Sequence, residues 1–199
     1  MSRQSPESSP TQPAPRSKPR GARETALSRA VVELEEHVAR LGWEAPVGVF
    51  ALVRTAAALE TDPAIADILD DEALAAARTD PESLTVIEQE DLPGSADLED
   101  LLGQLAWPES VDGVALSVER LTLPAAAEAE AAAIEDPEER VAFLQNRPDR
   151  DDVRIVVGVL RSGESWCAIR ARSKDHKRSV AQGDTLVPGL IEALRATLL

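Results

Sequence analysis

The stretch "DDVRIVVGVLRSGESWCAIRAR", residues 151–172, decides the fold of this chain. Two apolar runs flank Ser162 and Gly163, which predicts a β-hairpin with a two-residue loop. In that register Val159 faces Trp166, and both faces of the two strands are largely apolar. A hairpin with one solvated face alternates apolar and polar side chains more strictly. We therefore expect that helices or a second subunit cover both faces of this hairpin.

The only cysteine of the 199 residues, Cys167, lies in the second strand of the hairpin. The two-residue loop would place it on an apolar face, between Gly158 and Ile169. A buried thiol acts as a small apolar side chain with a raised pKa rather than as a nucleophile. The next histidine, His176, follows in a polar segment, so we expect no cysteine catalysis. A single cysteine cannot form an intramolecular disulfide, which favours a reduced, cytoplasmic protein.

Five basic side chains follow within a few residues of the cysteine: Arg170, Arg172, Lys174, Lys177 and Arg178. One interpretation is a solvated strand end and loop that offsets acidic surfaces elsewhere. The other is a binding site for an anion or an acidic partner, in which Arg170 and Arg172 share a strand face and hold a carboxylate or phosphate together. No aromatic side chain is interleaved with this cluster, so it does not resemble a nucleic-acid groove.

The charge of the chain is unevenly distributed. The net charge is −15, but residues 1–23 carry +4, so the remainder carries −19. Residues 24–199 carry so much negative charge that they repel the phosphate backbone of nucleic acids. We therefore expect no nucleic-acid partner for this part of the chain. Residues 60–100 hold fourteen acidic side chains against Arg78 alone. This segment predicts a solvated acidic face or a docking site for a basic partner, because the spacing of a calcium loop is absent.

Composition divides the chain in two. Residues 1–23 are rich in Ser, Pro and Arg with almost no large apolar side chain, which predicts a disordered basic tail. Residues 24–199 are predicted to form a single α+β domain. No run of about 18 apolar residues is present, so we expect no membrane span.

Periodicity within the domain predicts a mainly antiparallel sheet of five strands, packed by an N-terminal and a C-terminal helix. Three Asp-Pro pairs, at 62–63, 80–81 and 136–137, are typical of helix or turn starts, because aspartate accepts from free N–H groups and proline tolerates the first helical position. Ser95 is the predicted cap of a further helix. The predicted strands are 46–53, 84–90, 111–121, 152–161 and 165–172, and the two covering helices are 24–41 and 186–198.

No catalytic or cofactor motif stands out. The chain lacks a Gly-rich phosphate loop, HExxH, CxxC and GxSxG. We therefore expect a non-catalytic interaction or adaptor module with no cofactor and no metal, binding a protein partner or forming a homodimer. The alternative is a regulatory domain that binds a small ligand or anion through the basic cluster at 170–178. A third interpretation is a hydrolase whose carboxylates converge in an acidic site.

Four stretches carry a resemblance to a known family: "LGWEAPVGVFALV" (41–53), "LAWPESVDGVALSVERL" (105–121), "DRDDVRIVVGVLRSGESWCAIRARS" (149–173) and "LVPGLIEALRATL" (186–198). They resemble a family of uncharacterised actinobacterial proteins over most of the chain after residue 24. The resemblance implies lineage and compartment, and no activity. The order of elements is also similar to that of small secretion-chaperone-like α+β domains, from which this chain departs by its helical insertions between the first three strands.

Overall fold

The computed structural model of the chain describes residues 21–123 and 125–199. The predicted disordered tail therefore lies outside the described residues, apart from its last three positions. Ala22 and Arg23 already belong to the first helix, which therefore begins two residues before the helix predicted at 24–41.

Helices and strands are intermixed along the chain. Three short 3-10 turns, Pro63–Asp67, Arg172–Lys174 and Lys177–Ser179, complete the described elements. The helices are α1 Ala22–Arg40, α2 Thr55–Thr61, α3 Asp71–Thr79, α4 Leu98–Gly103, α5 Ala125–Ala132, α6 Pro137–Gln145 and α7 Pro188–Ala196. The strands are β1 Gly48–Arg54, β2 Leu84–Glu88, β3 Gly113–Thr122, β4 Asp151–Leu160, β5 Ser165–Ala171 and β6 Ala181–Gly183.

The described strands form one antiparallel sheet in the order β2-β1-β3-β4-β5-β6. The α+β class and the antiparallel sheet are confirmed, but the sheet has six strands where the sequence predicts five. The additional strand, β6, has three residues and pairs Gly183 with Cys167. The sequence does not indicate β6, because three residues are too few to show apolar alternation. A glycine followed by an aspartate is also more typical of a turn.

The register of the hairpin differs from the prediction by one residue. Gly158 pairs with Trp166, and Val157 pairs with Cys167. The loop has three residues rather than two, because Gly163 adopts a positive φ of 107° and its N–H donates to the carbonyl of Leu160 at 2.9 Å. Three-residue hairpin loops end in a left-handed residue of this kind. The shift moves every β5 side chain to the opposite face relative to β4.

Helices cover both faces of the hairpin, as predicted. α1 packs on one face, where Leu27 and Val31 meet Val156 of β4. α7 and α4 pack on the other, where Leu194 joins Val157 and Cys167 in a second core. Burial of such side chains contributes about 1.5–3 kcal/mol each. These two cores explain why neither face of the hairpin alternates with polar residues.

Gly158 marks the closest approach of α1 to the sheet. A Cβ placed on it would lie 2.7 Å from Cγ2 of Val31 and 3.0 Å from Cδ1 of Leu27. The absence of a side chain at this position therefore lets α1 lie directly on β4.

The Asp-Pro pairs begin helices or turns, as predicted. Asp136 accepts from the backbone N–H of Glu138 at 2.8 Å and so caps α6. Asp62 caps the first 3-10 turn, and Asp80 holds a turn by accepting from the N–H of Glu82 at 3.0 Å. The prediction that Ser95 caps α4 is wrong: the cap is Asp97, two residues later.

Across the described residues, no helix combines the length and apolar character that crossing a bilayer requires.

Candidate functional site

Two regions of the sheet are candidates for a functional site. The first is an arginine–tryptophan cluster beside α1, and the second is an open groove over β1 and β2. The cluster is made of Glu35, Trp43, Glu119, Arg154, Arg170, Arg172 and Asp175.

Arg170 is the centre of the cluster and is buried. Its Nε donates to Oε1 of Glu35 at 2.6 Å and its Nη2 donates to Oε2 at 2.8 Å, so the pair is bidentate. Glu35 lies on α1 and is 1% exposed. A third nitrogen, Nη1, donates to Asp175 at 3.2 Å. The hydrogen bonds to Glu35 raise the pKa of Arg170, and they leave this guanidinium bound to carboxylates of its own chain.

Arg154 lies directly opposite Arg170 in the β4–β5 register and is also buried. Two like charges in this arrangement repel each other unless anions lie between or beside them. Arg154 donates to Glu119 at 2.8 Å and to the carbonyl of Gly42. Carboxylates from α1 and β3 therefore balance the two arginines within the fold.

Trp43 connects the loop after α1 to this cluster. Its Nε1 donates to Oδ2 of Asp175 at 2.7 Å, a bond that lowers the pKa of that carboxyl. The guanidinium carbon of Arg154 lies 4.5 Å from the indole ring centre and that of Arg172 lies 5.6 Å away. Both distances are within the range of a cation–π contact. The neighbouring Glu44 has a positive φ of 68°, and its N–H donates to Glu119 at 2.8 Å, which holds the bend.

The structure does not gather the five predicted site residues into one anion site. Arg172 is exposed beside Glu44 at 3.5 Å and Asp152 at 3.4 Å, and Lys177 pairs with Glu36 at 2.6 Å. Lys174 and Arg178 are exposed. Glu35 on α1 occupies the Arg170 fork, so a joint grip of Arg170 and Arg172 on an external anion stays a prediction that would require this ion pair to open.

Cys167 is a buried structural residue, as predicted. It is 0% exposed and burial raises the pKa of its thiol. Its cross-strand neighbour is Val157 rather than Gly158, in consequence of the corrected register. His176 is exposed and its ring bonds to the hydroxyl of Ser179, away from this core. Within residues 21–123 and 125–199, no three His, Cys, Asp or Glu side chains converge as metal ligands.

The second region is the β1–β2 groove, on the sheet face that α4 and α7 cover elsewhere. Val49, at the start of β1, is still packed in the core below α7. Toward the end of β1, and on the neighbouring strand β2, the helices no longer cover this face. Ile87 is 46% exposed, and Val53 and Thr85 are only half-buried. Two cavities meet here, of about 340 and 400 Å³, and they share Val53, Ile87 and Ser110.

The walls of the groove come from segments beside the two strands. On one side Ala58 of α2 and Ile65 of the first 3-10 turn line the first cavity. On the other side Leu92, Leu105 and Trp107 line the second. The floor and both walls are therefore largely apolar.

The charged side chains around the groove are mostly acidic. Asp62, Glu109 and Asp91 lie on its rim. Arg54 is the one basic side chain among the described residues that line it, and its Nε donates to Asp112 at 2.7 Å. That hydrogen bond raises the pKa of Arg54, and the pair is neutral as a unit. The rim is thus left with a net negative charge.

The sequence predicts the acidic segment at 60–100 but not the groove itself. The available signal was the predicted strand at 84–90, whose apolar residues do not keep to one face. Its second face, with Thr85 and Ile87, is the uncovered one.

The architecture defines an α+β protein built on one antiparallel sheet. Its polar cluster is paired internally, and its apolar β1–β2 groove is uncovered. This chain belongs to the PPA1309-like family, because the family model described as PPA1309-like protein matches residues 27–199. That description names no activity, and neither a curated protein nor a solved structure matches the chain.

Proposed function

We propose that this protein is a non-catalytic interaction module and that the β1–β2 groove is its docking surface. The observation that carries the proposal is the exposure of Ile87 at 46%, on a sheet face that is dry over β3 and β4. Apolar side chains lining a concave, uncovered surface are typical of protein interaction sites. Their burial by a partner would be favourable by about 25 cal/mol for each Å² removed from water.

The polar groups beside the groove support binding rather than chemistry. Asp112 is held by Arg54, from both its backbone N–H and its Nε. Thr55 and Thr85 share a hydrogen bond at 2.9 Å, so each hydroxyl has a partner within the fold. A catalytic site needs a nucleophile or base directed at a substrate, and these groups are directed at one another.

Site-specific photo-crosslinking tests the proposal. A benzophenone amino acid replaces Ile87 in one variant and Val141, which is 50% exposed on α6, in the matched control. Both variants are irradiated in cells that express the chain at its natural level. We expect a discrete adduct of higher mass from position 87 and none from position 141. Equal labelling at both positions, or none at 87, would contradict the proposal.

Several predictions from the sequence accompany this proposal and stay predictions. They are the cytoplasmic location, the actinobacterial lineage, the similarity to secretion-chaperone-like domains and the disorder of the N-terminal tail. The alternative function, anion binding by the basic cluster at 170–178, also stays a prediction, and it would have to compete with the internal pair of Arg170 and Glu35.

A further inference from the structure

We infer that the β1–β2 groove receives an amphipathic helix of a different protein, with Lys or Arg side chains flanking its apolar stripe. This inference rests on the proposed function and names the class of partner. The helical form of the partner, its basic charge and its identity as a different protein each follow from a different observation.

The helical form follows from what the groove offers. The backbones of β1 and β2 are paired with each other, with Ala51 opposite Ile87 and Val53 opposite Thr85. The groove lies over this paired face and not along the outer edge of β2, so recognition within the groove comes from side chains. α4 and α7 already form a helical layer on this face over the neighbouring strands. A helix in the groove would continue that layer, since a sheet face is stably covered by a packed layer of helices.

The basic character follows from the rim. Asp62, Asp91 and Glu109 surround the apolar floor, and Arg54 is neutralised by Asp112. Of the fourteen acidic side chains in residues 60–100, Asp62 and Asp91 are the two that line the cavities. Complementary charge at a rim steers association and suppresses partners of like charge. Basic residues beside the apolar stripe satisfy this requirement.

The partner is not a second copy of this chain. A two-fold dimer through the groove would place the same acidic rim against itself, because an isologous interface joins identical surfaces. Nor do the chain's own first twenty residues fit: they contain no Val, Leu, Ile, Phe or Trp to fill an apolar groove. Charge therefore excludes a second copy of the chain, and composition excludes its first twenty residues.

A peptide selection tests the inference and requires no identified partner. The full chain is immobilised and challenged with a displayed library of random peptides of about 18 residues, enough for about five helical turns. We expect the enriched peptides to share large apolar residues at i, i+3, i+4 and i+7 with an excess of Lys and Arg. Their circular dichroism should become helical on binding.

Two pairs of variants locate the binding. Ile87→Lys should weaken the enriched peptides by roughly ten-fold or more, whereas Val141→Lys, at an equally exposed position on α6, should not. Glu109→Lys should weaken them by a smaller factor and reduce the dependence of affinity on salt, whereas Glu138→Lys should leave both unchanged. Circular dichroism of each free variant establishes that it is folded.

The inference is overturned if the enriched peptides are acidic, if they show a two-residue apolar alternation, if they bind Ile87→Lys as well as wild type, or if none is enriched. An adduct at position 87 combined with any of these results retains the proposed function and rejects the basic helix. An adduct of twice the chain mass would show self-association and also reject it. The absence of both adduct and enriched peptide rejects both proposals.

Discussion

The two ends of the sheet differ in how their apolar faces are covered. Around β4 and β5 both faces are dry, and even the charged side chains there, Arg154 and Arg170, are buried with carboxylates of the same chain. Around β1 and β2 one face is covered by α1, while the other leaves Ile87 exposed beneath an acidic rim. The first region has little apolar surface to offer a partner, and the second retains an uncovered apolar floor. The uncovered apolar floor and the region that is dry on both faces are thus separated along one sheet.

The largest expected effect comes from breaking the buried pair. Arg170→Ala leaves Glu35 charged and buried without its partner, which should lower the free energy of unfolding by about 3–5 kcal/mol. Arg172→Ala, at the exposed neighbour in the same cluster, should cost about 1 kcal/mol or less. Urea denaturation measures both, and equal losses would contradict the view that the cluster is held by Arg170.

A matched pair of isoleucines compares the two regions directly. Ile155→Ala removes a side chain that is 7% exposed on β4 and should destabilise by about 2–5 kcal/mol. Ile87→Ala, on the groove floor, should cost about 1 kcal/mol or less, because that side chain is half in water already. If Ile87→Ala were as destabilising as Ile155→Ala, the groove floor would be part of the core and not a free surface.

The contact between α1 and β4 can be tested at Gly158. Gly158→Ala places a methyl group 2.7 Å from Val31 and should destabilise by about 1–3 kcal/mol through overpacking. Gly94→Ala is the control, because nothing lies within 4 Å of the added carbon. Thermal unfolding should separate the two variants clearly. Identical midpoints would mean that α1 shifts at no cost.

The smallest effect concerns pH. The hydrogen bond from Trp43 and the bond from Arg170 lower the pKa of Asp175 in the folded state, so its carboxylate stabilises the fold above the ordinary pKa of an aspartate. That stability is lost as pH falls below about 4. Because this side chain is 46% exposed, the contribution is about 1 kcal/mol or less.

Asp175→Asn provides the comparison for that effect. Its unfolding free energy should lie below that of wild type at neutral pH, and the difference should shrink as the pH is lowered below the ordinary pKa of an aspartate, about 4. A difference that is constant over this range would show that ionisation of Asp175 does not contribute.

Much of the architecture could be predicted because its signals are local. The apolar runs on either side of Ser162 and Gly163 indicate a hairpin dry on both faces, and the Asp-Pro pairs indicate where helices and turns begin. The register could not be predicted, since two- and three-residue loops are both compatible with this sequence and only the positive φ of Gly163 distinguishes them. That single residue decided which side of the sheet Cys167 would occupy.

The candidate site was harder to predict. The basic residues at 170–178 resemble a ligand site because they are close in sequence, but the decisive neighbour of Arg170 is Glu35, which lies 135 positions away. The groove depends on which strand faces α4 and α7 leave uncovered. The apolar residues on both faces of the predicted strand 84–90 indicate a second apolar face, but they do not indicate whether a helix covers it.

By itself the sequence determined the class of fold, the elements that begin at its aspartates and prolines, the burial of the lone cysteine and the acidic character of the surface. These follow from side-chain chemistry and short-range periodicity. Only the tertiary structure decided that Arg170 is paired internally and that Ile87 is exposed. Both outcomes depend on contacts between residues far apart in the chain, because covering a charge or an apolar face requires a second element brought there by the whole fold.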